Sequence, residues 1–235
     1  MAKADAGTPR ERYRTQVRAE IKERAWEQIA TAGASALSLN AIAKQMGMSG
    51  PALYRYFAGR DELITELIRE AYRSLAETLR MASASGAGLD GLAHALRGWA
   101  LDDPQRYFLI YGTPVPGYRA PEDITGISSE IMAILLDAST ALDTATALDA
   151  CTTVDARTAV ASDGPPAPFT AHLEDHRDWA DGHPAPAAAL HRALAFWTRL
   201  HGILSLELAG HFANMGFDTA LFFASELDAL LAQRT

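Results

Sequence analysis

An all-α fold in two parts is predicted by three features of the 235-residue sequence. Apolar residues recur at three- and four-residue intervals along most of the chain. No segment alternates apolar and polar residues with the two-residue period of a strand, and Gly, Ser and Pro clusters cut the chain into helix-sized pieces. The third feature is the division of charge. The net charge is -8, yet residues 1–60 carry ten Lys/Arg (Lys3, Arg10, Arg12, Arg14, Arg18, Lys22, Arg24, Lys44, Arg55, Arg60) against five acids, leaving -13 on the remaining 175 residues. A basic head on an acidic body concentrates phosphate binding on the head. The expectation is a small three-helix N-terminal domain joined to a larger helical domain, with about nine helices in total.

Residues 1–13 read as a flexible basic arm. From Arg14 to Ala32, the apolar residues Val17, Ile21, Ala25, Ile29 and Ala32 make the stripe of a first helix, which Gly33 stops. Ser38 is placed to cap a short second helix, Leu39 to Met46, ended by Gly47. Ser49 is placed to cap a third, with Pro51 tolerated in its first turn and its end near Gly59. Asp61 and Glu62 open a fourth, with Leu63, Leu67, Ala71, Leu75 and Leu79 on one face. The domain limits follow as 14–60 for the head, 61–85 for a connecting helix and 86–235 for the body.

Ser83 to Gly91 breaks the helical pattern. Its Gly86, Gly88 and Gly91 spell G-x-G-x-x-G, but the stretch follows a helix instead of a strand, so the context of a dinucleotide-binding loop is missing. Leu89–Leu101 and Ile124–Ala150 are predicted helices, separated by Asp102–Asp123 with Pro104, Pro114, Pro116 and Pro121. Residues 151–187 hold five of the eleven prolines and read as a mobile loop with at most a short helix around Ala171–Ala180. Helices over Ala187–Ala213 and Asp218–Ala232 complete the chain.

Composition narrows the function. One cysteine, Cys151, gives no intramolecular disulfide and no thiolate cluster for a structural metal. There is no run of eighteen apolar residues and no apolar core of a secretory signal near the N-terminus, so a cytoplasmic protein with no membrane partner and no cofactor is expected.

The most specific signal is Leu39-Asn-Ala-Ile-Ala-Lys-Gln-Met-Gly-Met-Ser-Gly-Pro-Ala-Leu-Tyr-Arg-Tyr-Phe57. Ala43 is small where two helices cross, Gly47 permits the turn, and Ile42, Met46 and Leu53 form the apolar wedge that fixes the crossing angle. This is the pattern of a helix-turn-helix, whose second helix enters the DNA major groove. That geometry puts Gly50, Ala52 and Arg55 near bases and Ser38, Lys44, Ser49, Tyr54, Tyr56 and Arg60 near phosphates. Arg55 alone offers a bidentate guanine contact.

The run from Ala34 to Leu63, A-x-x-L-S-L-x-x-I-A-x-x-x-G-x-S-x-x-A-L-Y-x-Y-F-x-x-R-x-E-L, resembles the TetR family of one-component regulators, with a match over roughly residues 14–80. In that family the position of Tyr56 is usually histidine and that of Arg60 usually lysine. The resemblance implies a homodimer on a palindromic operator of double-stranded DNA, most often a repressor released by a ligand. Tyr107-Phe-Leu-Ile-Tyr-Gly-Thr-Pro-Val-Pro-Gly-Tyr118 and Phe196-Trp-Thr-Arg-Leu-His-Gly-Ile-Leu-Ser-Leu-Glu-Leu-Ala-Gly-His-Phe212 resemble the branch named for its Trp-His-Gly residues, over about 90–235.

The Trp197 helix is apolar on two faces and so needs two partners. Phe196, Leu200, Ile203 and Gly210, with Leu221, Phe222, Leu227 and Leu231 of the last helix, are the candidate dimer interface, and Gly202 and Gly210 allow close approach. Trp99, Tyr107, Phe108, Tyr111, Met132, Leu135, Trp197 and His201 are the candidate pocket for a small apolar or aromatic effector. The body is thus expected to be a ligand-binding and dimerisation domain, in a chain that is not an enzyme. Two other readings stay open. Glu207/His211 and His172/His176 have i, i+4 spacing that would suit a metal-dependent hydrolase, although neither fits H-E-x-x-H, and a helical adaptor could use the same fold to bind protein.

Overall fold

The first helix is set by its cap. The Thr8 hydroxyl accepts a hydrogen bond from the Glu11 N–H at 3.3 Å, and the Glu11 carboxylate accepts one from the Thr8 N–H at 2.7 Å. This reciprocal capping box precedes Pro9, whose missing N–H is harmless in a first turn. Helix α1 therefore spans Pro9–Ala32, and residues 9–13, expected to be a flexible arm, are helical. The structure is a computed structural model that describes residues 8–113, 118–119, 121–152 (backbone only for 145–152) and 168–232. The arm residues 1–7 and the 153–167 part of the expected mobile loop lie outside the described residues.

Ten α-helices and two 3-10 turns make up the described residues, with no strand: α2 Leu39–Gln45, α3 Gly50–Leu53, α4 Arg60–Ala84, α5 Leu89–Asp102, α6 Pro104–Tyr111, α7 Glu122–Thr152, α8 Pro168–Asp175, α9 Ala187–Leu208 and α10 Thr219–Ala232 follow α1. They fall into two compact units. The first takes in the chain up to Ala71 with Gln105–Pro121, the second Tyr72–Pro104 with the chain from Glu122. The connecting helix expected over 61–85 is α4, and the division between the two units falls within it, after Ala71.

The first unit is a helical head. Its core joins Val17, Ile21, Ala25 and Ile29 of α1, Ile42 and Ala43 of α2, Leu53 and Phe57 around α3, and Leu63, Ile64, Leu67 and Ile68 of α4. Helix α6 belongs to this unit and corrects the expectation of a proline-divided connection over Asp102–Asp123. Pro104 starts the helix instead of breaking it. The Arg106 guanidinium lies 5.7 Å from the centre of the Trp26 ring, and Phe108 and Leu109 line a cleft of about 290 Å³ with Ile29, Ala32 and Gly33.

The second unit is built around α9, which packs against α5, α7, α8 and α10. Leu136 of α7, Leu173 of α8, and Ala189, Leu190 and Ala193 of α9 form one buried cluster, with Met132, Trp179 and Leu194 packed on it. Polar ties fix the register. Arg97 of α5 makes a two-pronged ion pair with Glu207 of α9, at 2.6 and 3.2 Å, and Arg192 of α9 pairs with Asp143 of α7 and donates to the Ser139 carbonyl. The Trp99 indole N–H donates to Ser74 Oγ at 3.1 Å. Over Glu122–Thr144, α7 has the length and hydropathy to cross a bilayer, contrary to the simple count of apolar runs. Here its Ile124, Ile127, Ile131, Leu135 and Leu136 are buried in the unit.

Four candidate dimer residues are corrected by this packing. Phe196, Leu200, Ile203 and Leu227 are at most 7% exposed and lie in the core of their own unit. Gly210 is exposed, Phe222 and Leu231 are half-buried, and Leu221 is 71% exposed. Glu207, spaced to share a metal with His211, pairs instead with Arg97, and His211 is exposed. His172 and His176 stack ring on ring at 3.8 Å, and no group of three or more metal-ligating side chains occurs among the described residues.

Candidate nucleic-acid interface

Helix α2 starts because Ser38 Oγ accepts the Ala41 N–H at 3.3 Å, while the Ser38 N–H donates to Gln28 Oε1 of α1 at 3.0 Å. Leu39, Ile42 and Ala43 then face the core. Gly47 adopts φ +65°, which a side chain would resist, and sends the chain back towards α3. The Met48 N–H closes the turn on the Ala43 carbonyl at 2.8 Å. Of the expected wedge, Ile42 and Leu53 are fully buried and Met46 is half-buried.

Helix α3 is four residues long, and its last turn tightens as the Tyr56 N–H bonds the Leu53 carbonyl at 2.8 Å. This presents Lys44, Ser49, Tyr54 and Arg55 to solvent, with Gly50, Ala52 and Tyr56 half-buried beside them. The Ser49 side chain makes no cap hydrogen bond. Gly50 sits close to the Asn40 side chain, since a Cβ there would lie 3.4 Å from Asn40 Oδ1. Asn40 is exposed and lies outside the expected set of cationic, hydroxyl and α3 positions, because its place beside Gly50 comes from the α2–α3 crossing.

Not every cation of the head is available to DNA. Arg60, expected on a phosphate, donates to the Ala34 and Ser35 carbonyls at 2.9 and 3.3 Å and lies 3.7 Å from Asp61. It ties the start of α4 to the turn after α1. Arg18 donates to the Tyr56 carbonyl, lies 4.1 Å from the centre of the Phe57 ring and approaches Glu62 and Glu66, each at 3.9 Å. Lys22 pairs with Glu70 and Arg24 with Glu27. Arg18 therefore holds the end of the recognition segment in place. Arg10, Arg12, Arg14, Lys44 and Arg55 are the exposed head cations without an ion pair among the described residues.

The candidate effector residues divide between the units. Tyr107 is fully buried, with Phe108 and Tyr111 ring centres 5.6 and 5.4 Å away, all in the first unit. Trp99, Met132, Leu135, Trp197 and His201 belong to the second. Trp197 meets His201 edge to face at 4.0 Å. Burial pushes the His201 imidazole down to about 4 from its usual 6.5. The folded state thus resists a proton that the unfolded chain accepts, so His201's contribution to stability is complete above about pH 6.5 and fades as pH falls towards 4. Denaturant unfolding across that range should show stability falling with acidification in the wild type and a shallower fall in His201→Gln. Equal pH slopes would contradict this assignment.

A tri-helical head with a buried α2–α3 crossing and exposed Lys44, Ser49, Tyr54 and Arg55 defines a helix-turn-helix DNA-binding protein. Known proteins sharpen this class. Residues 21–67 match the family described as bacterial regulatory proteins, tetR family, and residues 89–230 match the tetracyclin repressor-like C-terminal domain. The HTH-type transcriptional regulator Rv1816 of Mycobacterium tuberculosis is 34% identical over 227 residues, spanning 93% of this chain and 92% of the relative. The crystal structure of SCO4313, named as a regulatory protein, shares 68% identity, covers 96% of this chain and 100% of that one, and superposes with a TM-score of 0.82. A tetR-family protein from Rhodococcus RHA1, at 16% identity and a TM-score of 0.57 over 91% of this chain and 94% of that one, shares the fold. The chain belongs to the TetR family of transcriptional regulators, a family of DNA-binding proteins and not of enzymes.

Proposed function

We propose that the chain is a homodimeric repressor that binds a palindromic operator and is released by a small apolar or aromatic effector held in the second unit. The observation that carries this reading is the continuity of α4. Its Leu63, Ile64, Leu67 and Ile68 are core residues of the DNA-binding head, and its Leu75, Ala76 and Leu79 are core residues of the second unit, in one unbroken helix from Arg60 to Ala84. An effector that repacks the second unit around Met132, Trp197 and His201 biases the position of that helix, and a two-state shift of this kind changes the spacing of two recognition segments from the one-turn repeat of about 34 Å.

Dimerisation is supported by apolar side chains that the single chain leaves outside. Leu206 of α9 is 45% exposed and Leu221 of α10 is 71% exposed, and Gly202 of α9 and Ala209 and Gly210 in the turn just after it also face solvent. Small residues there allow a second copy to approach closely. Leu206→Glu/Leu221→Glu is expected to sediment as a monomer with an unchanged far-UV spectrum and to lose tight operator binding, because two half-sites are then no longer engaged together. For the effector, apolar compounds that raise the melting temperature are titrated into the protein–operator complex. Release of DNA supports the reading. A dimer that survives both substitutions, or stabilising compounds that leave operator affinity unchanged, would refute the corresponding half of it.

A further inference from the structure

Helix α1 carries Arg10, Arg14, Arg18 and Lys22 four residues apart, on one side of the helix. The last two are neutralised inside the head, Arg18 by Glu62 and Glu66 and Lys22 by Glu70. These contacts run in the same direction along α1 and α4, and α4 begins at Arg60. The ladder of acids therefore ends where Arg18 stands. Arg14 and Arg10 continue the basic row about 6 and 12 Å further, at 1.5 Å per residue.

What lies at that end of the row is the recognition segment. Arg18 touches the carbonyl of Tyr56 and the ring of Phe57, at the close of the tightened turn that follows α3. All residues from Pro9 to Gln16 are exposed, the first buried residue of α1 being Val17, so two helical turns project beyond the core. They are held helical by the Thr8–Glu11 capping box, which also occupies the one acid of this stretch. Arg10 and Arg14 have no ion pair among the described residues.

We infer that Arg10 and Arg14 form a preordered clamp on the backbone phosphates of DNA beside the stretch read by α3. A helical mount fixes the two guanidinium groups on one line, where a disordered arm would have to be ordered on binding. Arg12, about 200° around the helix from Arg10, points away from that line.

The test is a salt titration of binding to a fluorescent mixed-sequence duplex of about 30 base pairs, comparing wild type, Arg10→Ala/Arg14→Ala and Arg12→Ala. Each lost phosphate contact lowers the slope of log affinity against log salt by about 0.9, so the double variant should lose about 1.8 per protomer and bind at least about tenfold more weakly. Arg12→Ala should keep nearly the wild-type slope. The substituted side chains touch nothing in the core, so thermal unfolding should be unchanged. A wild-type slope in the double variant, or an equal loss of slope in Arg12→Ala, overturns the clamp while leaving DNA reading by α3 standing. Salt-independent binding by the wild type would overturn both.

Discussion

Arg97→Met is expected to destabilise the protein by about 3–5 kcal/mol, the cost of leaving a buried charge without its partner. Glu207 keeps 9% of its side-chain area exposed and Arg97 17%, so solvent screens the pair weakly. The Arg97 guanidinium also lies 5.3 Å from the centre of the Phe223 ring, so its loss loosens α10 as well as α9. For a chain of this length the melting temperature should fall by roughly 10 °C or more. The discriminating measurement is the double variant Arg97→Met/Glu207→Leu, which removes both charges and should recover most of the loss, since a buried pair replaced by apolar residues is often near neutral. If the single and double variants are equally unstable, the deficit comes from packing and not from the orphaned carboxylate.

The second large effect concerns readout. Arg55 stands two residues past the end of α3, is exposed, has no ion pair among the described residues and carries a guanidinium fork of the kind that can recognise guanine. Arg55→Ala should lower the preference for operator over unrelated DNA by about 1–3 kcal/mol, roughly fivefold to more than a hundredfold, while non-specific binding changes little. Tyr54, 48% exposed, offers one hydroxyl for a phosphate. Tyr54→Phe should weaken binding by a similar factor on every sequence. The opposite pattern would exchange the roles of the two residues.

The head was legible in the sequence because its signals are local. Ser38 capping α2, Gly47 at positive φ and Pro51 in the first turn of α3 each act within a few residues. Features that depend on distant partners were not legible. Arg18 and Arg60 count as free cations in any tally of charge, and only the fold brings them to Tyr56, Glu62, Ala34 and Ser35. The stripe Phe196, Leu200 and Ile203, which the two-face pattern points towards a second subunit, is the core stripe, while Thr198, Gly202 and Leu206 face outward. Periodicity finds two faces on such a helix but does not say which is inside. Helix α6 is hidden in the sequence because a proline such as Pro104 marks either a break or a first turn, and here it is the first turn.

Reading of DNA by sequence through α3 is the function proposed for the head. Its most direct test is a titration of the 235-residue protein, in parallel, with DNA from upstream of its own gene and with a shuffled duplex of equal length, over a series of salt concentrations. The expected result is tighter binding to the upstream DNA, a steep loss of affinity with salt on both, and a preference that shrinks in Arg55→Ala. Affinity that ignores both salt and sequence would contradict it.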